Sequence, residues 1–546
     1  MKKSLLIGCF FLLSLASAFS QSVLSGNVYD SLTSESLSGV NIYLPEINIG
    51  TSTDENGKFK IEMPPTRSRI RVSHIGFSTF TMVYKGNNDL HIALLPAQNL
   101  DEIVIQAFRA TELTPVTEKT LQKDQLKPLL VGQDVQFVLE KATPSILSYS
   151  ESGGGFSNYG QFRLRGIDQS RVNITLNGAP LNDMIDQGVF FSNFTDFTNS
   201  IQSVQVQRGV GTSSNGTASY AGSINFESVK LNDEKPSGEI ELVGGSFNTY
   251  KVRLSAKTGL LPSKTAFFTQ FSTFTTDGYR YHTGTDSYSF YGSGGYFGDN
   301  DVVKFTAFIG NSQNGLAYSP VAISEIDNDP RTNYLNENDT DNFGQRFVQL
   351  QHTHRFSDNA NLSSSFYYGG SGGDYFYSYY DENGALNQIN YPLQNNHFGI
   401  TSSFNSNLWV EKLNFTTGIH AYTFRRLNEE SLMPDDANPY YVEHSNKDEI
   451  SLFAKADYLL GKFRIYGDLQ FRTLNLTIDP DDTVLPDESN IIKNWTFLNP
   501  RLGLTYELDQ HKTIVHQLWQ YGQRANQSGY FWRVFFDPIQ PCERNR

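Results

Sequence analysis

Phe162-Arg163-Leu164-Arg165-Gly166, Val172-Asn173-Ile174-Thr175-Leu176-Asn177-Gly178, Ile201-Gln202-Ser203-Val204-Gln205-Val206-Gln207-Arg208-Gly209 and Tyr220-Ala221-Gly222-Ser223-Ile224-Asn225-Phe226 follow one another between Gln161 and Ser228. They are short β patterns ended by Gly or Asn-Gly, residues that turn a chain sharply because they tolerate positive φ. By themselves they predict a compact, glycine-rich β domain. Two polar excursions interrupt the strands, Ile167 to Arg171 and Asn182 to Phe191. Upstream, Val131 to Lys141 reads as a short amphipathic helix leading to Thr143-Pro144-Ser145-Ile146. The triple glycine Gly153-Gly154-Gly155 lacks the following Gly-Lys-Ser/Thr and the βαβ unit of a phosphate cradle.

After Lys235 the pattern lengthens. Val252, Leu254 and Ala256 alternate with Lys251, Arg253, Ser255 and Lys257; Val303, Phe305, Ala307 and Ile309 with Lys304 and Thr306; Phe463, Ile465, Leu469 and Phe471 with Arg464, Asp468, Gln470 and Arg472. One face is lipid-like and the other wet, the two-residue period of a transmembrane β-barrel. Short turns alternate with long polar insertions such as Asn311 to Asn342 and Arg425 to Asp448. Aromatic residues make up 13% of the 546, with 40 Phe and 29 Tyr, while the hydrophobic fraction is 38% and the mean hydropathy is -0.40. That balance suits strands with one apolar face and argues against transmembrane helices. A net charge of -14 makes nucleic acid an unsuitable partner, because phosphate binding needs a basic surface.

Toward the N-terminus, Lys2 and Lys3, the apolar run Leu5 to Leu15 and the small residues near Ala16-Ser17-Ala18 have the order of a secretory leader, assigned to 1–20. Residues 22–96 alternate with period two in several short runs, and Asp54-Glu55-Asn56-Gly57 reads as a hairpin turn, which predicts a small β-sandwich. Asp101, Glu102, Ile103, Val104, Ile105, Gln106 and Ala107 form a strand pattern with no second strand after it, suited to augmenting a partner's sheet edge or to closing the preceding sandwich as its last strand. The cysteines are Cys9, inside the leader, and Cys542. No His-x-x-Glu or His-Glu-x-x-His spacing exists, so a zinc enzyme has no ligand set. Gly369-Gly370-Ser371-Gly372-Gly373 fits the Gly-x-Ser-x-Gly spacing of hydrolases, but no helix pattern follows it and it reads as a flexible turn.

The four motifs between Gln161 and Ser228, in their order and spacing, resemble the plug domain of TonB-dependent outer-membrane receptors, and Thr143-Pro144-Ser145-Ile146 is similar to that domain's entry. Gly50 to Phe59 with His74-Ile75-Gly76-Phe77 resembles the carboxypeptidase regulatory-like domain often placed before such receptors, which is not a peptidase. The resemblance implies a mainly β chain: leader, sandwich, TonB-box strand and linker (100–113), α+β plug (114–229), and the first part of an antiparallel transmembrane barrel (235–512). It makes Asp101 to Ala107 the TonB-binding segment and implies that Arg165 and Arg208 hold the plug to the barrel wall by breakable charge pairs. It also makes Arg171 and Gln187, on the two excursions, the ligand contacts, because a guanidinium and an amide present directional donors. The implied partners are TonB, outer-membrane lipid and a small ligand, most often an iron chelate of siderophore or ferric-citrate type. No cofactor or metal site is implied, and the implied place is the outer membrane of a Gram-negative bacterium with the N-terminal domain in the periplasm.

From Lys235 to Lys512 about 280 residues are available, room for roughly eleven or twelve strands where a plugged barrel takes about 22. Reading permitted codons for His516 to Arg533 one nucleotide later gives Ala-Lys-Glu-Pro-Thr-Arg, a segment the resemblance leads one to expect. A frameshift near Thr513 follows as an expectation, with 513–546 not native sequence and this polypeptide unable to transport. The rival reading is a secreted β-rich adhesin or binding module, which would stay soluble where a barrel enters membranes.

Overall fold

The computed structural model describes residues 22–519 except 32–34, 46, 48, 64–67, 75–76, 78–79, 85, 87–88, 95–108, 110–116, 131, 156–157, 210–220, 233–234, 358, 407–412, 436, 482–489 and 510–511. The expected leader, the expected TonB-box segment Asp101 to Ala107 and residues 520–546 lie outside the described residues. The chain divides between Asn99 and Leu100 into two compact units.

The first unit holds β1 (Ser22–Asp30), β2 (Asn41–Leu44), β3 (Ile49–Ser52), β4 (Lys58–Met63), β5 (Arg69–Ser73), β6 (Phe80–Val83) and β7 (Asp89–Leu94). They form two sheets, ordered β4-β1-β7 and β3-β2-β5-β6. Period-two alternation places Leu24, Val28, Ile42, Leu44, Ile61, Ile70, Val72 and Ile92 in one buried core, as the sandwich reading requires. The expected turn is present: the Asp54 carboxylate accepts from the backbone of Asn56 and Lys58, both at 2.9 Å, and Gly57 has φ +72°.

The second unit begins with the plug. β8 (Thr117–Gln122), α1 (Lys123–Leu126), α2 (Val135–Ala142), β9 (Ile146–Ser150), β10 (Gly160–Leu164), β11 (Ile167–Asp168), β12 (Val172–Leu176), β13 (Ala179–Pro180), β14 (Ile201–Arg208) and β15 (Gly222–Ser228) follow in order. The central sheet runs β13-β12-β15-β14-β8, and β11-β10-β9 forms a smaller one. The quoted motifs are its core: Ile174, Leu176, Val204, Val206, Ile224 and Phe226 are all buried. The helix starts at Val135, later than the apolar pattern, because Asp134 takes the extended N-cap conformation.

The wall is an antiparallel 14-stranded sheet among the described residues. Its strands are β16 (Ser237–Gly245), β17 (Thr249–Lys257), β18 (Thr265–Thr276), β19 (Thr285–Phe297), β20 (Asp301–Gly315), β21 (Thr340–Ser357), β22 (Ala360–Tyr380), β23 (Leu386–Asn390), β24 (Leu393–Ser406), β25 (Leu413–Leu432), β26 (Tyr441–Leu460), β27 (Phe463–Pro480), β28 (Ile491–Asp509) and β29 (Lys512–Trp519). A helix, α3 (Ile323–Asn328), lies in the loop after β20. Alternation is inverted relative to a soluble sheet. Phe305, Ile309, Ile465, Leu469 and Phe471 are 41–50% exposed, whereas Lys304, Thr306, Arg464, Asp468 and Arg472 are buried on the inner face. Apolar outside and polar inside is the arrangement lipid demands. β29 covers the first residues beyond Lys512 and pairs with β28 in register from Arg501↔Trp519 to Asp509↔Lys512.

Two expectations about loops change. Asn311 to Gly315 and Thr340 to Asn342 are strand, as are Arg425 to Leu432 and Tyr441 to Asp448. The strands project past the apolar band with polar residues on both faces, so alternation fades while hydrogen bonding continues. The glycine run 369–373 is likewise not a turn but the interior of β22, paired with β21 and β24 on its two sides.

Candidate functional site

The plug sits against the inner face of the wall, and aromatic packing fixes the contact. The 3-10 turns Phe191–Phe194 and Phe197–Ser200 present Phe194 to Phe308 at 4.8 Å between ring centroids, and Phe308 stacks on Phe347 at 5.3 Å. Gly310 permits the approach, since a Cβ there would lie 2.5 Å from the Asn193 carbonyl.

Charge pairs reinforce that packing, and the buried ones that cross from plug to wall among the described residues use plug carboxylates. Asp196, in the left-handed region at φ +63°, binds Lys251 Nζ, accepts from Ser272 Oγ at 2.7 Å and lies 3.7 Å from Arg253. Its side chain and that of Lys251 are each 3% exposed. On the excursion after the Asn-Gly turn, Asp183 and Asp186 both reach Arg426 NH2, at 2.6 and 2.7 Å, and Lys447 Nζ donates to the Met184 carbonyl at 2.6 Å. Arg165 and Arg208, the expected anchors, both reach Ser145 at the plug's own entry turn, Arg165 through its backbone and Arg208 through its side chain. Arg165 is exposed, with its backbone N–H donating to Ser145 O at 2.8 Å, and Arg208 NH1 donates to Ser145 Oγ at 3.2 Å.

Wall strands are joined by short turns at one end and by longer loops, among them 277–284, 316–339, 381–385 and 433–440, at the other. At the long-loop end the tip of β9 and its following turn meet the loops after β18 and β20 around a cavity of about 480 Å³. Tyr149, Tyr279, Tyr318, Glu151, Arg280 and Pro320 line it. Tyr318 extends the aromatic surface by stacking on Tyr375 at 6.3 Å, which packs against Tyr391 at 5.8 Å. Arg280 ties plug to loops, donating to the carbonyls of Glu151 (3.1 Å), Ala317 (2.7 Å) and Thr332 (3.0 Å). Neither Arg171 nor Gln187 lines this cavity. Arg171 is exposed at the end of a 3-10 turn, and Gln187 is buried at 6% exposure with φ +64°. The cavity's lining is instead rich in tyrosines, which sequence patterning could not single out from the chain's other aromatics.

Burial raises the Glu151 carboxyl to about 7, reinforced by Asp341 and opposed by Arg280. Burial also lowers Arg280 and raises Tyr318. For Glu151 the sign is that of a group whose pKa rises on folding. Its contribution to the docked plug is complete below the ordinary 4.5, falls as pH increases toward about 7, and is constant above that. Glu151→Gln is therefore expected to flatten the difference in plug stability between pH 4.5 and 7. Urea midpoints of both proteins across that range check this, and identical slopes would rule it out.

A residue that the sequence did not single out lies two positions after Ala107, the end of the expected TonB-box segment. Arg109, its side chain 10% exposed, donates to the backbone carbonyls of Asn225 (2.7 Å) and Ser203 (3.3 Å), to Ser203 Oγ (2.8 Å), and pairs with Glu227 at 3.4 Å. It fastens the chain emerging from that segment to the two central plug strands, β14 and β15.

Two family models match: the CarboxypepD_reg-like domain over residues 24–105 and the TonB-dependent Receptor Plug Domain over residues 111–223. No curated protein matches the chain by sequence. Among solved structures, the ferric yersiniabactin uptake receptor FyuA from Yersinia pestis is similar with TM-score 0.63 and 13% identity over 80% of this chain and 70% of its own. The ferric citrate transporter FecA in the unliganded form gives 0.60 and 12% over 75% and 64%. The ferric-catecholate import receptor Fiu from E. coli K12, open form, gives 0.62 and 14% over 76% and 71%. Likeness at this identity speaks for the fold, and these relatives are receptors and transporters rather than enzymes. The chain joins a CarboxypepD_reg-like domain to a TonB-dependent receptor plug domain and to a β wall with the fold of the TonB-dependent receptors.

Proposed function

We propose that this chain belongs to an outer-membrane receptor that imports a scarce metal chelate, of siderophore or ferric-citrate type, with energy delivered through TonB. The observation that carries the reading is the aromatic cavity where the plug meets the long loops, in a plug whose central strands β14 and β15 are clasped by Arg109. A chelate resting on Tyr149, Tyr279 and Tyr318 touches plug and loops together, so binding biases how the plug sits in the wall. In the same reading Asp101 to Ala107 add a strand to TonB in the periplasm. Pull on that strand then acts on β14 and β15 and couples the two sites.

Titration of the detergent-solubilised chain with ferric tricatecholate and with ferric citrate, followed by tyrosine emission, tests the site. Saturable quenching by at least one chelate, weakened about tenfold in Tyr318→Ala, is expected. Quenching that Tyr318→Ala leaves unchanged, or none with either chelate, would contradict it.

A further inference from the structure

The glycine run of β22 has a consequence on the opposite face of the wall. Outward-facing positions there follow the inverted alternation: Val348 and Leu350 on β21, Phe366 on β22 and Phe398 on β24 are 40–61% exposed. Just beyond this apolar band, Arg346 pairs in register with Gly370, and Gly344 with Gly372. The three glycines leave a depression of about 440 Å³ on the outer wall, bordered by Tyr288, Ile309 and Leu427. Without a Cβ at Gly370, Arg346 and Tyr368 lie flat on the strand, because a Cβ would come within 2.6 Å of the Tyr368 hydroxyl and 2.7 Å of Arg346 Nε. That packing orients the cation. Arg346 Nε donates to Tyr368 Oη at 2.8 Å, and Tyr368 Oη donates to Asn396 Oδ1 at 2.9 Å.

Among the described residues no partner is recorded for the two terminal nitrogens of Arg346, and the side chain is exposed. Arg425 shares the outward face but is committed to Asp448 at 2.8 Å. Arg346 is the one cation lining the depression. Further from the band, Gln394, Asp374 and Glu429 complete the lining; Asp374 is four residues past Gly370, about 13 Å along the strand. The polarity therefore runs in a fixed order: apolar surface, then a guanidinium held by Tyr368 with its terminal edge open, then amide and carboxylate groups that accept hydroxyl hydrogens.

We propose that this depression binds a phosphorylated, acylated saccharide of the outer leaflet. Its acyl chains lie on Phe366, Val348 and Phe398, a phosphate meets the open edge of Arg346, and its sugar hydroxyls meet Gln394, Asp374 and Glu429. The order of groups selects the occupant, since a guanidinium at the lipid boundary pairs two oxygens of a phosphate while Asp374 and Glu429 above it accept from hydroxyls. Phosphatidylethanolamine, whose phosphate and ammonium match the same cation and carboxylates, is the competitor, and its displacing the lipid A probe at equal concentration would overturn the choice of a saccharide. The proposal rests on the wall being lipid-facing and is independent of what the plug side imports.

The test uses the full chain in dodecyl-maltoside micelles, with fluorescent diphosphoryl lipid A and its dephosphorylated form as probes. Wild type is expected to bind the diphosphoryl form about tenfold more tightly than either Arg346→Gln binds it or wild type binds the dephosphorylated form. Gly370→Val, which fills the depression, is expected to weaken binding comparably, and Arg425→Gln, exposed and on the same face, to leave it within about twofold. Millimolar inorganic phosphate is expected not to displace the lipid, and displacement would show a phosphate-only site. Equal binding by Arg346→Gln and wild type, or equal binding of the two lipids, overturns the proposal. A chain that stays soluble without detergent overturns the lipid-facing wall and this site with it.

Discussion

Asp196→Ala frees the plug from the wall at a lower urea concentration than wild type, the docked state being weaker by about 3 kcal/mol. The carboxylate is the point where Lys251, Ser272 and Gln270 converge from the inner face. Removing one partner of a buried pair leaves the other charged and dry, which costs about 3–5 kcal/mol. The lower end applies here because Glu241 remains 3.7 Å from Lys251. Asp196→Asn keeps the hydroxyl and amide contacts and falls between the two. Protection of plug amides against hydrogen exchange, compared with those of the wall, reads the effect. Unchanged plug protection in Asp196→Ala would show that aromatic packing around Phe194 and Phe308 alone holds the plug.

Arg109→Ala has its effect on coupling rather than on recognition. It removes the donor to the carbonyls of Ser203 and Asn225 and leaves the Glu227 carboxylate with the Ser203 hydroxyl but no cation, a loss of about 2 kcal/mol for a partly buried, charge-assisted set. Lysine cannot reproduce it, because one ammonium cannot span two carbonyls and a carboxylate as the guanidinium fork does. The expected result is faster amide exchange across Ser203 to Gln207 with unchanged affinity of the 101–107 segment for TonB. A variant with wild-type exchange in β14 would mean that the clasp transmits nothing.

Much of this architecture is legible in the residues because it repeats locally. Ile174, Leu176 and Asn177-Gly178 declare a strand and its turn within seven positions, and Phe305 against Lys304 declares the two faces of the wall within two. What was not legible is long-range. Nothing near Asp196 or Asp183 in the chain shows that their partners are Lys251 and Arg426, and nothing near Arg208 shows that its guanidinium reaches Ser145. Arg109 stands alone in a polar stretch without periodicity, so its burial is decided by β14 and β15 rather than by its neighbours. The glycine run 369–373 looked like a turn because glycine is usually punctuation; its two long flanking partners, β21 and β24, hold it extended. The pocket is a meeting of three segments far apart in the sequence, and only the fold assembles its tyrosines.

The central claim is that the strand Asp101 to Ala107 is offered to TonB by a plug held in a membrane wall. The most direct measurement places a cysteine at Val104 and tests disulfide formation with the periplasmic domain of TonB carrying a cysteine on its exposed strand edge, in outer-membrane preparations of the full chain. Cross-linking at Val104 that fails when Ile103 is replaced by proline, which removes a strand hydrogen bond, is the predicted result. A chain recovered in the soluble fraction, or cross-linking no greater than from a cysteine at exposed Tyr281 in the loop after β18, would contradict it.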